Sequence, residues 1–178
     1  MIIGLVGEKL SGKDTAAQYL VKQYQAYHIR YSDTLDEILK VLDLAISRRN
    51  EIDLGLALRS GFGKGVLNHS ISKKVRESTT PHSVINGIRF VDELTTAEQL
   101  GAKIIYITAP IETRYQRYLH RKEKSDDGSQ TLEQFQHQES EKTEMAIAGL
   151  GAQASFRIDN DSDLESLYHE LDKLIKNS

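Results

Sequence analysis

Short apolar runs alternate with longer amphipathic segments along most of the chain. The apolar runs predict five β-strands, at residues 2–6, 27–31, 82–89, 103–108 and 154–158. Between them, apolar residues recur at helical spacing, which predicts helices over residues 15–26, 35–44, 90–100, 111–122, 132–148 and 164–175. Strands that alternate with helices favour an α/β fold, a three-layer sandwich in which helices cover both faces of a five-stranded parallel sheet. We expect a single domain over residues 1–178.

Two segments depart from this alternation. Residues 48–76 are polar and helical with a glycine break, which indicates an insertion of one or two helices outside the sheet. Residues 122–130 are charged and lack apolar anchors, and they follow a helix that carries Arg114, Arg117 and Arg121 on one face. A mobile loop after a row of arginines is typical of a closing lid. An ordinary surface helix and connector is the alternative, and the arginines of the insertion can equally form a solvated face.

The first predicted strand runs directly into a glycine-containing loop that precedes a helix, Gly7-Glu-Lys-Leu-Ser-Gly-Lys-Asp-Thr15. Gly7 and Gly12 can adopt backbone angles closed to other residues, so the N–H groups between them can turn inward around a polyphosphate. Lys13 adds a full positive charge, and the N-terminus of the helix adds a partial one. This order predicts a phosphate-binding loop at residues 7–15, although a glycine turn with a solvated lysine is the alternative.

Polar residues also follow the second and third predicted strands. Ser32-Asp33 is a signal for the N-cap of the second helix. The third strand ends in Asn86-Gly-Ile-Arg89. In an α/β sheet ligands bind at the carboxyl ends of the strands, so Asn86 and Arg89 are expected beside the phosphate-binding loop if the first and third strands are neighbours.

Composition narrows the classes of protein that fit this pattern. The 178 residues are 39% hydrophobic and 28% charged, which is enough for one domain with a sizeable core. A net charge of −3 gives no general attraction to nucleic acid or to an anionic membrane, so neither is expected as a partner. The lack of cysteine excludes thiolate chemistry, and no apolar run reaches the ~20 residues of a membrane helix. We expect a soluble, cytoplasmic protein that is a monomer or a homodimer.

With these segments in place, the chain resembles the P-loop nucleotide and small-molecule kinases over nearly its whole length. The resemblance rests on the phosphate-binding loop, Tyr31-Ser-Asp33, Asn86-Gly-Ile-Arg89, Arg114-Tyr-Gln-Arg117 and Ser125-Asp-Asp127. It is strongest to the branch with a Gly-Lys-Asp-Thr loop, which includes deoxynucleoside monophosphate kinases and proteins similar to adenylate kinase or dephospho-coenzyme A kinase. The resemblance implies ATP and Mg2+ as cofactors and transfer of the γ-phosphoryl group to a small-molecule phosphate acceptor, with nucleotides as the first candidates.

The resemblance also implies roles for particular residues. The residues expected to neutralise the charge of the transferring group are Lys13, Arg114, Arg117 and Arg121. Those expected to bind ATP are Gly7, Glu8, Lys9, Leu10, Ser11, Gly12, Lys13, Asp14 and Thr15. The acceptor is expected to meet the helical insertion at 48–76 together with Asp33, Arg59 and Arg89.

Two positions depart from the usual pattern of these kinases. Asp14 stands where a serine or threonine hydroxyl usually binds Mg2+, and Asn86 stands where family members often carry an aspartate that holds the metal. We hypothesise that the two changes compensate, so that Asp14 ligates Mg2+ directly or through water while Asn86 orients a water molecule. The alternative is that Asp14 only stabilises the N-terminus of its helix.

Three functions remain open at this stage. The first is a nucleoside or deoxynucleoside monophosphate kinase. The second keeps the fold but transfers phosphate to dephospho-coenzyme A or another small molecule. The third is a nucleotide-binding regulatory protein with slow turnover, which Asn86 and the acidic residues Asp126 and Asp127 favour.

Overall fold

A five-stranded parallel sheet forms the centre of the protein. The structure, a computed structural model, describes residues 1–120, 130–139 and 142–176, so Arg121 and residues 122–129 of the predicted lid lie outside the described residues. The strands lie in the order β2-β3-β1-β4-β5, and every neighbouring pair is parallel. Their bounds are Ile2–Val6 for β1, Tyr27–Arg30 for β2, Ser83–Ile88 for β3, Ala102–Thr108 for β4 and Phe156–Asp159 for β5. The predicted five-stranded parallel sheet is confirmed.

Helices cover both faces of this sheet and make the predicted three layers. Their bounds are Lys13–Tyr24 (α1), Tyr31–Val41 (α2), Arg48–Phe62 (α3), Val66–Glu77 (α4), Val91–Gln99 (α5), Ile111–His120 (α6), Leu132–Glu139 (α7), Lys142–Gly151 (α8) and Leu164–Lys176 (α9). One core joins the sheet to α1 and α9, and the other joins it to α2, α4, α5 and α8. Because both faces are covered, the central strand β1 is apolar along its length.

The position of β1 explains why it carries the loop. Ile3 and Leu5 point into the core shared with α1, while Val6 points into the opposite core. With β3 on one side and β4 on the other, the carboxyl end of β1 lies in the middle of the sheet edge. The condition for Asn86 and Arg89 to lie beside the loop is therefore met, because β1 and β3 are neighbours.

The predicted helical insertion corresponds to α3 and α4. Ser47 caps α3 by accepting a hydrogen bond from the Asn50 amide at 3.2 Å. Leu54 and Leu58 of α3 pack at the margin of the core, whereas Ile52 on the same helix stays half exposed. The insertion lies between α2 and β3 in the chain, and its part in acceptor binding stays a prediction.

Candidate active site

The loop between β1 and α1, residues 7–15 and here named the phosphate loop, is shaped by close backbone contacts. A Cβ atom on Gly7 would lie 2.0 Å from the Ile107 carbonyl oxygen of the neighbouring strand. Gly12 has a φ of +108°, and a Cβ atom there would lie 2.2 Å from Asn160 Nδ2. A side chain on Gly7 would therefore force the loop away from β4, and a side chain on Gly12 would be strained by its backbone angle and would displace the Asn160 amide.

Lys13 is buried at the start of α1 and turns back toward the phosphate loop. Its Nζ donates a hydrogen bond to the Glu8 carbonyl oxygen at 2.6 Å. The ammonium group is thus held beside the loop, and the N-terminus of α1 adds its partial positive charge at the same place. Thr15 lies half-buried in the first turn of α1, and its contact with an α-phosphate stays a prediction.

Two arginines of α6 hold the phosphate loop from outside. Arg114 donates from Nε to the Ala109 carbonyl at 3.0 Å and from Nη1 to the Lys9 carbonyl at 3.4 Å. Arg117 donates from Nη1 to the carbonyls of Leu10 at 3.2 Å and Ser11 at 3.3 Å. Burial lowers the pKa of the Arg117 guanidinium, and the nearby Asp161 opposes this shift. Both arginines therefore lie at the predicted site but contact backbone oxygens of the loop, and their contact with a transferring phosphate stays a prediction.

Asn160, directly after β5, is a site residue that the sequence analysis missed. Its Nδ2 donates to the Ser11 carbonyl at 2.8 Å, and its own carbonyl accepts from Arg117 Nη2 at 2.8 Å. Its backbone N–H donates to the Thr108 carbonyl at 2.7 Å, which fixes it at the end of β4. A polar residue at the carboxyl end of a strand was the signal used for Asn86, and the same signal could have found Asn160.

Glu8 of the phosphate loop is tied to the sheet by a side-chain contact. The Tyr106 hydroxyl of β4 donates a hydrogen bond to Glu8 Oε1. Burial raises the pKa of Tyr106, and the hydrogen bond to Glu8 adds to this rise. The phosphate loop is therefore attached to β4, to α6 and to the segment after β5.

Asp14 and Asn86, the two predicted metal residues, are in direct contact. Asn86 Nδ2 donates to Asp14 Oδ1 at 2.7 Å and lies 3.3 Å from His28 Nε2. Burial, followed by the charge of Arg30, lowers the pKa of His28, so a neutral ring nitrogen can accept this hydrogen bond. The amide is thereby oriented, and Asn86 Oδ1 is a buried oxygen with no hydrogen-bond partner among the described residues.

These oxygens fit a magnesium site in their chemistry. Within the described ranges, no three His, Cys, Asp or Glu side chains cluster as a preformed metal centre. Mg2+ commonly takes only one or two protein carboxylates and completes its coordination with substrate phosphates and water. A carboxylate at Asp14 and a free carbonyl oxygen at Asn86 suit that arrangement, and their role as metal residues stays a prediction.

Two of the three predicted acceptor residues, Arg59 and Arg89, contact the first turn of α5. Arg59 of α3 donates from Nη2 to Glu93 Oε1 at 2.5 Å, and the Arg89 backbone N–H donates to Glu93 Oε2 at 2.9 Å. Asp33 lies elsewhere: its two carboxylate oxygens accept from the backbone N–H of Arg30 at 2.8 Å and from its Nε at 2.7 Å.

This use of Asp33 corrects the predicted start of the second helix. The helix begins at Tyr31, with Arg30 rather than Ser32-Asp33 at the N-cap. Asp33 lies in the first turn, where its carboxylate accepts a hydrogen bond from the Arg30 backbone N–H, as the third helical residue does in a capping box. Its predicted contact with an acceptor is a separate matter and stays a prediction.

The strand order, the phosphate loop and the covering helices together define the fold of the P-loop kinases. A solved structure of an uncharacterized protein from Eubacterium ventriosum matches with a TM-score of 0.64 at 14% identity, over 100% of this chain and 99% of that chain. Shikimate kinase from Acinetobacter baumannii in complex with shikimate matches with a TM-score of 0.57 at 15% identity, over 99% and 93% of the two chains. At these identities the likeness establishes the fold.

In sequence, the chain is similar to a UPF0200 protein of Sulfurisphaera tokodaii. The two are 28% identical over 176 residues, which cover 98% of this chain and 96% of the relative. No protein-family model matches the chain. None of the helices in the described ranges has the length and apolar character that crossing a membrane requires.

Proposed function

We propose that the protein is an ATP- and Mg2+-dependent phosphotransferase that moves the γ-phosphoryl group of ATP to a nucleoside or deoxynucleoside monophosphate. The observation that carries the proposal is the phosphate loop, in which Gly7 is sterically required, Gly12 has a positive φ and Lys13 is held beside the start of α1. A backbone of this shape presents N–H groups and positive charge to a polyphosphate. The P-loop kinase fold supports the same class of reaction.

In this proposal the chain binds and orients the reactants, and the attacking oxygen belongs to the acceptor. Lys13 exchanges its contact with the Glu8 carbonyl for the β- and γ-phosphates of ATP. Arg114 and Arg117 keep the loop in its binding conformation through its carbonyl oxygens. Asp14, and Asn86 through a water molecule, would hold Mg2+, which would supply charge neutralisation at the phosphates.

The acceptor would bind near the carboxyl end of β3, where Arg59 and Arg89 meet Glu93. Arginine is well suited to a phosphate monoester because its planar donors match two phosphate oxygens. A second candidate is a small-molecule alcohol kinase. The pairing of Arg59 with a carboxylate favours it, and shikimate kinases among the structural neighbours are consistent with it.

A phosphoryl-transfer screen tests the proposal. Wild-type protein with ATP and Mg2+ is incubated with each ribo- and deoxynucleoside monophosphate, with dephospho-coenzyme A and with shikimate. Lys13→Ala serves as the inactive variant, and Lys22→Ala, an exposed lysine at the other end of α1, serves as the matched control. We expect one monophosphate to be consumed by wild type and by Lys22→Ala but not by Lys13→Ala.

Other outcomes of the screen point elsewhere. Consumption of an alcohol alone would replace the monophosphate proposal with the second candidate. Binding of ATP without transfer to any acceptor on the panel would refute the kinase proposal and favour a nucleotide-binding regulatory protein.

A further inference from the structure

Several groups of the protein itself contact the Arg59 guanidinium. Beside the bond to Glu93, Nη1 lies 3.3 Å from Asp92 Oδ2 and donates to the Lys64 carbonyl at 2.6 Å. The guanidinium carbon lies 4.2 Å from the centre of the Phe90 ring. The side chain of Arg59 is 14% exposed and that of Glu93 is 3% exposed, so this ion pair is largely removed from water.

The charges of this cluster do not suit a phosphate as it stands. One guanidinium faces two carboxylates, so Arg59, Asp92 and Glu93 together carry a formal charge of −1. A carboxylate presents two oxygens to arginine in much the same geometry as a phosphate does. Glu93 therefore occupies Nη2 of Arg59, and Asp92 approaches Nη1, so carboxylates hold donors that an acceptor phosphate would need.

The Tyr31 hydroxyl is a candidate second partner for the Glu93 carboxylate. The Tyr31 hydroxyl is buried and has no hydrogen-bond partner among the described residues. Tyr31 of α2 packs in the same core as Leu94, the neighbour of Glu93 on α5. Burial raises the pKa of Tyr31, and the charge of Glu93 is the next largest cause. Burial likewise raises the pKa of Glu93 itself to about 7, so the displaced carboxyl group can also take up a proton near neutral pH. Asp92 is held in place by Asn68 Nδ2 at 3.1 Å.

We propose that Glu93 is an internal competitor for the acceptor phosphate: it occupies Arg59 in the free protein and moves to the Tyr31 hydroxyl when a phosphate monoester binds. This inference rests on the proposed function. Glu93 is then a specificity-determining residue, because an acceptor without a phosphate has no anionic group that could replace the Glu93 carboxylate on Arg59. The helix α5 thus sets the affinity for the acceptor without taking part in the binding of ATP.

The test compares Glu93→Gln with Asp53→Asn, which neutralises an aspartate in an exposed ion pair with Arg49 on α3. The acceptor KM is measured at pH 8 with saturating ATP and Mg2+, for the monophosphate consumed in the screen. We expect Glu93→Gln to lower the acceptor KM about tenfold, while kcat and the KM for ATP stay unchanged. This change is at the low end for a hydrogen bond to a charged group, because the carboxylate of Asp92 still competes for Arg59. Asp53→Asn should leave all three values unchanged.

Tyr31→Phe supplies a readout that a purely structural ion pair would not move. The hydroxyl has no partner in the free protein, so its removal should leave thermal stability unchanged. Because the displaced carboxylate loses its new donor, the acceptor KM should rise about threefold. If Glu93→Gln does not fold, Asp92→Asn replaces it and should lower the acceptor KM in the same direction.

Equilibrium binding separates failure of this inference from failure of the proposed function. Each nucleoside 5′-monophosphate is titrated into wild type and Glu93→Gln in the presence of Mg2+ and β,γ-imido-ATP, which fills the phosphate loop. If wild type transfers phosphate but Glu93→Gln has an unchanged or raised acceptor KM, Glu93 is a structural partner of Arg59 and the inference is overturned. If wild type transfers no phosphate, the proposed function fails, and the titration then tests the inference by itself. Tighter binding of a monophosphate to Glu93→Gln than to wild type supports the inference, and equal or absent binding overturns it.

Discussion

Replacing Asn86 by aspartate is the most informative perturbation of the predicted metal site. Asn86→Asp exchanges a hydrogen-bond donor for a second carboxylate beside Asp14, at an atom separation of 2.7 Å in the wild type. The double variant Asp14→Asn with Asn86→Asp exchanges the amide and the carboxylate, and so restores one donor and one acceptor. Comparing the single and the double variant separates the energy of the contact between positions 14 and 86 from the effect of changing either residue alone.

The structure fixes the size of the expected effect. Two unit charges 2.7 Å apart repel by about 1.5 kcal/mol in water and by about 6 kcal/mol at an effective dielectric constant of about 20. Asn86 is buried but Asp14 is exposed, so an intermediate value of about 3 kcal/mol applies. For a protein of 178 residues this corresponds to a fall in Tm of about 6 to 12 °C.

The assay is thermal unfolding at pH 8, repeated at pH 5 and with increasing Mg2+. We expect Asn86→Asp to lose stability at pH 8 and to regain it at pH 5, because one carboxyl group of the pair then carries a proton. Mg2+ should stabilise the single variant more than wild type, since a divalent cation relieves the repulsion between two carboxylates. The exchanged double variant should recover most of the lost stability. An Asn86→Asp variant as stable as wild type at pH 8 would show that the Asp14 contact is not formed.

Three further predictions concern the phosphate loop and Glu93. Gly7→Ala should weaken ATP binding on the order of a hundredfold, because its Cβ would lie 2.0 Å from the Ile107 carbonyl oxygen. In the same titration the control Gly149→Ala, whose Cβ would have no atom within 4 Å, should bind ATP as wild type does. Asn160→Ala should weaken ATP binding about tenfold and lower the free energy of unfolding by about 1 kcal/mol, because the Ser11 carbonyl loses its shorter hydrogen bond and keeps only the longer one from Arg117; unchanged ATP affinity would contradict this. Folding raises the pKa of Glu93 from 4.5 to about 7, so the free energy of unfolding of wild type relative to Glu93→Gln should fall by roughly 3 kcal/mol as pH rises between these values. Urea unfolding measures this difference, and a difference that does not change with pH would refute the prediction.

Local patterns in the sequence were sufficient to predict the framework of the protein. The apolar runs identified the central strands β1, β3 and β4 because these are largely buried in a sheet covered on both faces. The edge strands β2 and β5 are more exposed, and each places one fully buried residue, Ile29 or Ile158, in a core. The phosphate loop could be located because glycine spacing after a strand is itself a local feature. The neighbouring positions of β1 and β3 then brought Asn86, near the carboxyl end of β3, to Asp14 in the first turn of α1.

The partners of charged residues could not be predicted in the same way. Arg59 pairs with Glu93, which is 34 positions away, and nothing in the spacing of either residue indicates the other. Arg30 caps its helix with Asp33 although arginine is not a typical N-cap residue, so the local signal pointed to Ser32-Asp33 instead. Such contacts depend on how the helices pack, and helix packing is a property of the whole chain.

The attachment of the phosphate loop to Asn160 has a consequence for the order of folding. Ser11 and Asn160 are 149 residues apart, and Arg117 reaches the same loop across 106 residues. Contacts between such distant positions require most of the chain to be ordered first, because closing a long loop costs entropy before the contact repays it. The phosphate loop should therefore reach its final shape late, after β5 has joined the sheet. In refolding experiments, the recovery of ATP binding should follow the docking of β5 and serve as a probe of complete folding.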